Sequence, residues 1–171
     1  MFSGKSSYAI QLCKKLSAID EKIIVVKPLE DIRYNLTHIT THDDETYPSM
    51  VVKELMSLTY IKQYKECNYI IIEEAQFFTD IIEFVTQSVD TDMKQVFVIG
   101  LDGDYDRKNF GDIHKLLPLC DSIKKLTGYC SVCKDGTKSI FSKRTSSSTK
   151  QIDIGEKDIY RPLCRVCYLM L

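Results

Sequence analysis

Apolar positions recur along the chain in two periods, and each predicts a different kind of element. Tyr8, Ala9, Leu12, Cys13 and Leu16 fall at helical spacing, which predicts a helix over 6–16. Lys22-Ile23-Ile24-Val25-Val26-Lys27 is a β-branched run closed by charge and Pro28, the pattern of a buried parallel strand. Residues 28–48 are polar and read as a loop. Met50, Val51, Leu55 and Leu58 predict a helix over 49–58 with Ser49 as its cap. Tyr69-Ile70-Ile71-Ile72 reads as a second buried strand ending on Glu73 and Glu74. Further along, a helix over 79–89 capped by Thr79, a strand over 95–99, a short helix over 112–119 and a last strand over 122–126 are expected. Helices alternating with buried strands predict an α/β fold with a mainly parallel sheet.

Chemistry gathers where these elements meet. The chain opens Met1-Phe2-Ser3-Gly4-Lys5-Ser6, and Gly-Lys-Ser before a helix is the closing half of a phosphate-binding loop. Backbone N–H groups near Gly4 and the start of the helix suit phosphate oxygens, Lys5 suits the outer phosphates, and the Ser6 hydroxyl suits Mg2+. The opening glycine of such a loop and the strand before it would lie upstream of Met1. The expectation is therefore a chain cut within the loop, with the first strand missing and the sheet showing an edge or gap. Glu73 and Glu74 end an aliphatic strand in the manner of a Walker B strand, which delivers carboxylates beside bound phosphates. The Gly- and Asp-rich segment 101–111 follows a strand end, where loops carry function in open sheets.

Four of the seven cysteines form two CxxC pairs, Cys130/Cys133 and Cys164/Cys167, 30 residues apart. That spacing reads as a closed tetrahedral zinc site, structural rather than catalytic. Between the pairs, residues 144–150 form a Ser/Thr tract of linker character. The net charge of -1 gives no general pull toward nucleic acid or membrane. It divides unevenly, because residues 124–171 hold ten Lys/Arg against four Asp/Glu. Such a tail could touch phosphate or be an ordinary solvated face. No apolar run reaches the roughly 18–20 residues of a membrane span, and no leader is recognisable, so a soluble intracellular protein is expected.

Taken in order, the Gly4-Lys5-Ser6 remnant, Thr41-His42-Asp43, Glu74-Ala75-Gln76-Phe77-Phe78, Leu101-Asp102-Gly103 with Phe110-Gly111, Ile154-Gly155, Asp158, Tyr160 and the final CxxC form one set covering essentially all 171 residues. The set resembles the cytosolic and poxvirus-type (type II) thymidine kinases. The resemblance implies phosphoryl transfer from ATP to the 5′-hydroxyl of thymidine. It implies a RecA-like P-loop domain over 1–126 and a zinc-bearing lasso domain over 127–171. Glu74 matches the catalytic base. Met1, Phe2, Ser3, Gly4, Lys5, Ser6, Asp43, Glu73 and Gln76 match nucleotide-side positions, with Ser6 and Glu73 at Mg2+. Leu101, Tyr105, Phe110 and Tyr160 match the pocket around the base, to which Met1 also contributes. Gln151, Ile152, Asp153, Ile154 and Gly155 match the lasso, whose backbone reads the thymine edges. The resemblance further implies a cytoplasmic homotetramer with dTTP as feedback inhibitor.

Several positions depart from that pattern: Glu73 stands for Asp, Tyr105 for Phe, Asp44 for a basic residue, and Glu156 for a second glycine. Two other readings therefore stand beside a working kinase. One is a truncated, inactive homologue; the other is a zinc-ribbon nucleic-acid-binding ATPase, prompted by the basic tail.

Overall fold

The computed structural model describes residues 2–31, 37–41, 43–145 and 159–171. Helix α1 spans Lys5–Ser17, and strand β1 follows at Ile23–Pro28. A small antiparallel hairpin, β2 (His38–Thr40) and β3 (Thr46–Pro48), leads into β4 (Met50–Val52). After a 3-10 turn at Leu55–Tyr60 come α2 (Lys62–Glu66), β5 (Tyr69–Ile72), α3 (Ile81–Thr86) and β6 (Gln95–Val98). The four strands β4-β1-β5-β6 form one parallel sheet in that order.

Alternation along the strands divides the core in two. Ile24, Val26, Ile70 and Ile72 face one layer, where they meet Leu55, Leu58, Phe78, Ile81 and Phe84. Val25 and Ile71 face the other, where Ala9, Ile10, Cys13 and Leu16 of α1 cover them. Period-2 alternation and helical period thus interlock as a three-layer α/β arrangement. From β1 the chain first lays β4 on one side, then crosses to lay β5 on the other. The order reverses between β1 and β5, and the crevice outside their carboxyl ends is the switch point where such sheets bind ligands.

The cysteine pairs sit in a separate set of short elements. β7 (Gly128–Tyr129) pairs with β8 (Lys138–Ser139), β9 (Phe141–Arg144) pairs antiparallel with β10 (Tyr160–Leu163), and α4 (Arg165–Met170) closes the chain. The described helices include none long and apolar enough to cross a membrane.

Several local expectations give way. Residues 50–52 form a sheet strand, not a helix, pairing Val26 with Met50 and Pro28 with Val52. The helical signal there came from Leu55 and Leu58, which a 3-10 turn also stacks on one face at i and i+3. Ser49 accordingly caps nothing; its N–H donates to the Thr37 carbonyl at 2.8 Å. The expected loop over 28–48 contains the β2–β3 hairpin. The short helix over 112–119 is a 3-10 turn at Ile113–Leu116. Residues 122–126 are not a strand, since among the described residues none pairs with them. The helix over 79–89 is split, with α3 continuing as one π turn over Gln87–Thr91. Asp80, not Thr79, precedes α3, and its carboxylate accepts the Met56 N–H at 2.9 Å.

Candidate active site

Glu73 continues the alternation of β5 onto the face that α1 covers, and its N–H donates to the Val26 carbonyl at 2.8 Å. α1 begins at Lys5, after Gly4 in the left-handed region at φ 78°, a conformation glycine adopts without strain. The two elements meet at their functional ends, where the Ser6 hydroxyl donates to Oε1 of Glu73. Glu73 is only 4% exposed. Burial pushes its carboxyl up to about 7; Glu74 and Asp31 add to the rise, while Ser6 and Lys5 oppose it. A divalent cation fits this pair, because hydroxyl and carboxylate oxygens suit a hard ion and a buried acid gains most from a neutralising charge.

One residue on, Glu74 takes φ 49° and turns the chain out of the sheet. A non-glycine residue held there is strained, a condition that clusters at functional positions. Its carboxylate is half-buried and accepts a bond from Nε2 of Gln76 at 2.5 Å. Gln76, itself buried, accepts the Leu101 N–H on Oε1 at 3.0 Å. The amide thus ties the end of β5 to the loop after β6. Two glycines make room for it: a Cβ on Gly100 would lie 2.6 Å from the Gln76 Oε1, and one on Gly111 2.0 Å from the Gln76 carbonyl oxygen. Gly111 also has φ +59°.

The 101–111 loop is closed by its own contacts. Asp104 accepts the Asp106 and Lys108 N–H groups on one oxygen, both at 2.9 Å, and Gly103 bridges to Asn109. Phe110 is buried edge-on to Phe77 with ring centres 5.5 Å apart, so it also serves packing. Tyr105 lies under the guanidinium of Arg144 at 3.9 Å, and Arg144 donates from Nη2 to the Tyr160 hydroxyl at 2.6 Å. Tyr105 and Tyr160 are thereby brought together by a buried cation that sequence reasoning missed. Its signal was one of two adjacent basic residues, Lys143 and Arg144, at the start of the Ser/Thr tract, indistinguishable there from a solvated charge.

Other expected positions are placed less closely. Phe2 touches the cysteine-bearing elements: a Cβ on Gly128 would sit 2.5 Å from its carbonyl oxygen. Ser3 is half-buried in the bend before Gly4. Asp43 is exposed in the β2–β3 turn. That turn lies against the far part of α1, where Glu45 pairs with Lys14, about 13 Å along the helix from Lys5 at 1.5 Å per residue. Met1 and the lasso positions Gln151, Ile152, Asp153, Ile154 and Gly155 lie outside the described residues.

The sulfur atoms of Cys130, Cys133, Cys164 and Cys167 all lie within 4.8 Å of one another. Backbone N–H groups of Cys133 and Cys164 hold the Cys130 thiol down to about 6, while hydrogen bonds with the Cys133 and Cys164 side chains push the Cys167 thiol up to about 12. Four convergent thiols with one already favouring the thiolate fit zinc, and their number leaves no open position for substrate.

The sequence model of the family described as Thymidine kinase matches residues 1–168. Thymidine kinase a of Arabidopsis thaliana is 38% identical over 172 aligned positions, spanning 99% of this chain and 71% of the plant protein. The thymidine kinase of rice is 36% identical, with 99% of this chain and 63% of its own length covered. The thymidine kinase of raccoon poxvirus is 36% identical over 170 positions, 99% of this chain and 92% of the viral protein. With a site of this geometry and matches that run nearly end to end, the chain belongs to the thymidine kinase family.

Proposed function

We propose that the chain transfers the γ-phosphoryl group of ATP to the 5′-hydroxyl of thymidine, with Glu74 accepting the hydroxyl proton. The observation that carries this reading is the Gln76-held carboxylate of Glu74, one residue from the buried Ser6–Glu73 pair at the start of α1. Phosphoryl transfer asks a protein mainly for positioning and charge neutralisation. The first N–H groups of α1 and the Lys5 ammonium provide these for the phosphates. Ser6 and Glu73 would hold Mg2+, which supplies charge neutralisation on the phosphate oxygens when bound. Glu74 then takes the proton as the 5′-oxygen attacks.

Leu101, Tyr105, Phe110 and Tyr160 form the wall of the nucleoside pocket in this reading, and residues 151–155 its backbone edge. Asp43 is kept near the nucleotide by the resemblance alone. The cysteine cluster would hold zinc and keep β7, β10 and α4 in register. The same reading extends to a cytoplasmic homotetramer inhibited by dTTP, which sedimentation and a dTTP titration of the purified protein test. The direct test of the activity is formation of dTMP from thymidine, ATP and Mg2+. A chain that hydrolyses ATP equally with and without thymidine contradicts it.

A further inference from the structure

Among the contacts that join the cysteine-bearing elements to the 101–111 loop is a short hydrogen bond. The Tyr168 hydroxyl, on α4 directly after Cys167, donates to the backbone carbonyl of Tyr105 at 2.6 Å. Three neighbours hold the ring that carries this hydroxyl. Arg107 lies 4.8 Å over its face, Phe141 packs at 5.0 Å between centres, and Lys143 sits 5.1 Å from the ring. The base of α4 is fixed as well, since the Tyr168 N–H donates to the Cys164 carbonyl at 2.9 Å and Cys164 precedes the helix as its cap. Arg107 belongs to the loop itself, but Phe141 and Lys143 of β9 hold the ring from the cysteine-bearing side, and a donor held there positions its acceptor.

We propose that Tyr168 is a positioning residue for the nucleoside. It holds the Tyr105 carbonyl, and with it the aromatic wall of the pocket, in the place set by the cysteine cluster. This inference rests on the assignment of the 101–111 loop to thymidine. Tyr168 touches no reacting atom in this scheme, so its loss weakens thymidine binding and leaves the chemistry and the ATP side alone. The contact also links the cysteine cluster to substrate affinity through named atoms, by way of Cys164, α4, the Tyr168 hydroxyl and Tyr105.

The test is Tyr168→Phe, which keeps the ring and its stacking and removes one oxygen. Thymidine affinity is read by calorimetry on the zinc-loaded chain, beside kcat, the KM for ATP, the zinc content and the melting temperature. The expected result is a roughly five- to tenfold weaker thymidine Kd, the worth of one hydrogen bond, with kcat, KM for ATP and zinc content unchanged. An unchanged thymidine Kd overturns the proposal. So does a parallel fall of kcat, ATP affinity and melting temperature, which would mark a general structural role. Tyr168→Leu, which removes the stacking too, is expected to weaken thymidine binding further; a Kd no weaker than wild type also overturns it. A wild-type chain that binds ATP but no thymidine overturns the underlying assignment, and is told apart by needing no variant.

Discussion

Gln76 holds Glu74 in place: its amide donates to Oε2 of Glu74 at 2.5 Å while its oxygen accepts the Leu101 N–H at 3.0 Å. The carboxylate assigned as the base is thus oriented by a residue two positions on, which is anchored across the sheet end. Gln76→Glu keeps the shape and the acceptor for Leu101 but turns a donor toward Glu74 into a second negative charge. A neighbouring like charge raises a carboxyl pKa. The acid limb of the kcat–pH profile should therefore move to higher pH, by about one pH unit or more, with kcat at neutral pH reduced. A profile identical to wild type removes Gln76 from this role.

Gly111 is the floor on which Gln76 rests. An added methyl would meet the Gln76 carbonyl at 2.0 Å, on a backbone already at φ +59°. Gly111→Ala should cost more than about 2 kcal/mol in denaturant unfolding, combining clash and backbone strain. Gly136→Ala is the control. It has φ +89° but nothing within 4 Å of the new carbon, so only the strain is expected. Equal costs at the two positions contradict the packing argument.

The buried acid Glu73 gives a pH dependence with a definite sign. Its folded pKa of about 7 lies above the ordinary 4.5, so the folded state binds this proton more tightly than the unfolded chain. Without Mg2+, stability should fall as pH rises from the ordinary value toward the folded one, by roughly 1.4 kcal/mol at most for each pH unit crossed. Glu73→Gln should flatten that slope, as should saturating Mg2+ at the upper end. Chemical denaturation of the zinc-loaded protein across this range checks both.

Zinc binding should release protons. Cys167, whose thiol is raised by hydrogen bonds with its neighbours' side chains, must give up its proton to become a ligand, whereas backbone N–H groups hold the Cys130 thiol low. Calorimetry in buffers of different ionisation enthalpy should show net proton release, with affinity falling as the pH is lowered toward that of the Cys130 thiol. Cys167→Ser should lose zinc. Binding without proton release contradicts the picture of mixed thiol and thiolate.

What could be read from the sequence was whatever repeats or sits next to itself. Ile70-Ile71-Ile72 followed by Glu73 and Glu74 announced a buried strand with acids at its end, and β5 is that strand. Residues 6–16 carried a helical period, and α1 (Lys5–Ser17) follows it. The four cysteines declared their cluster by spacing, and the structure brings their sulfurs together. Short elements defeated the same method. Met50-Val51-Val52 is too brief to show alternation, and its place as a parallel edge to β1 depends on partners 24 positions away, as in Val26 with Met50. Contacts such as Arg144 over Tyr105 and Tyr168 to Tyr105 join residues whose sequence neighbours say nothing about each other. Only the folded chain pairs them.

Glu74 as the base for phosphoryl transfer to thymidine is tested most directly by single-turnover kinetics. The rate of dTMP formation is measured for Glu74→Gln beside the wild-type chain, with thymidine and ATP binding measured on both. Glutamine keeps the size and the bond to Gln76 but cannot take a proton. The expected result is a rate loss of about 10^2 to 10^4, the usual worth of a positioned base, with both substrates still bound. A variant that turns over at the wild-type rate contradicts the assignment.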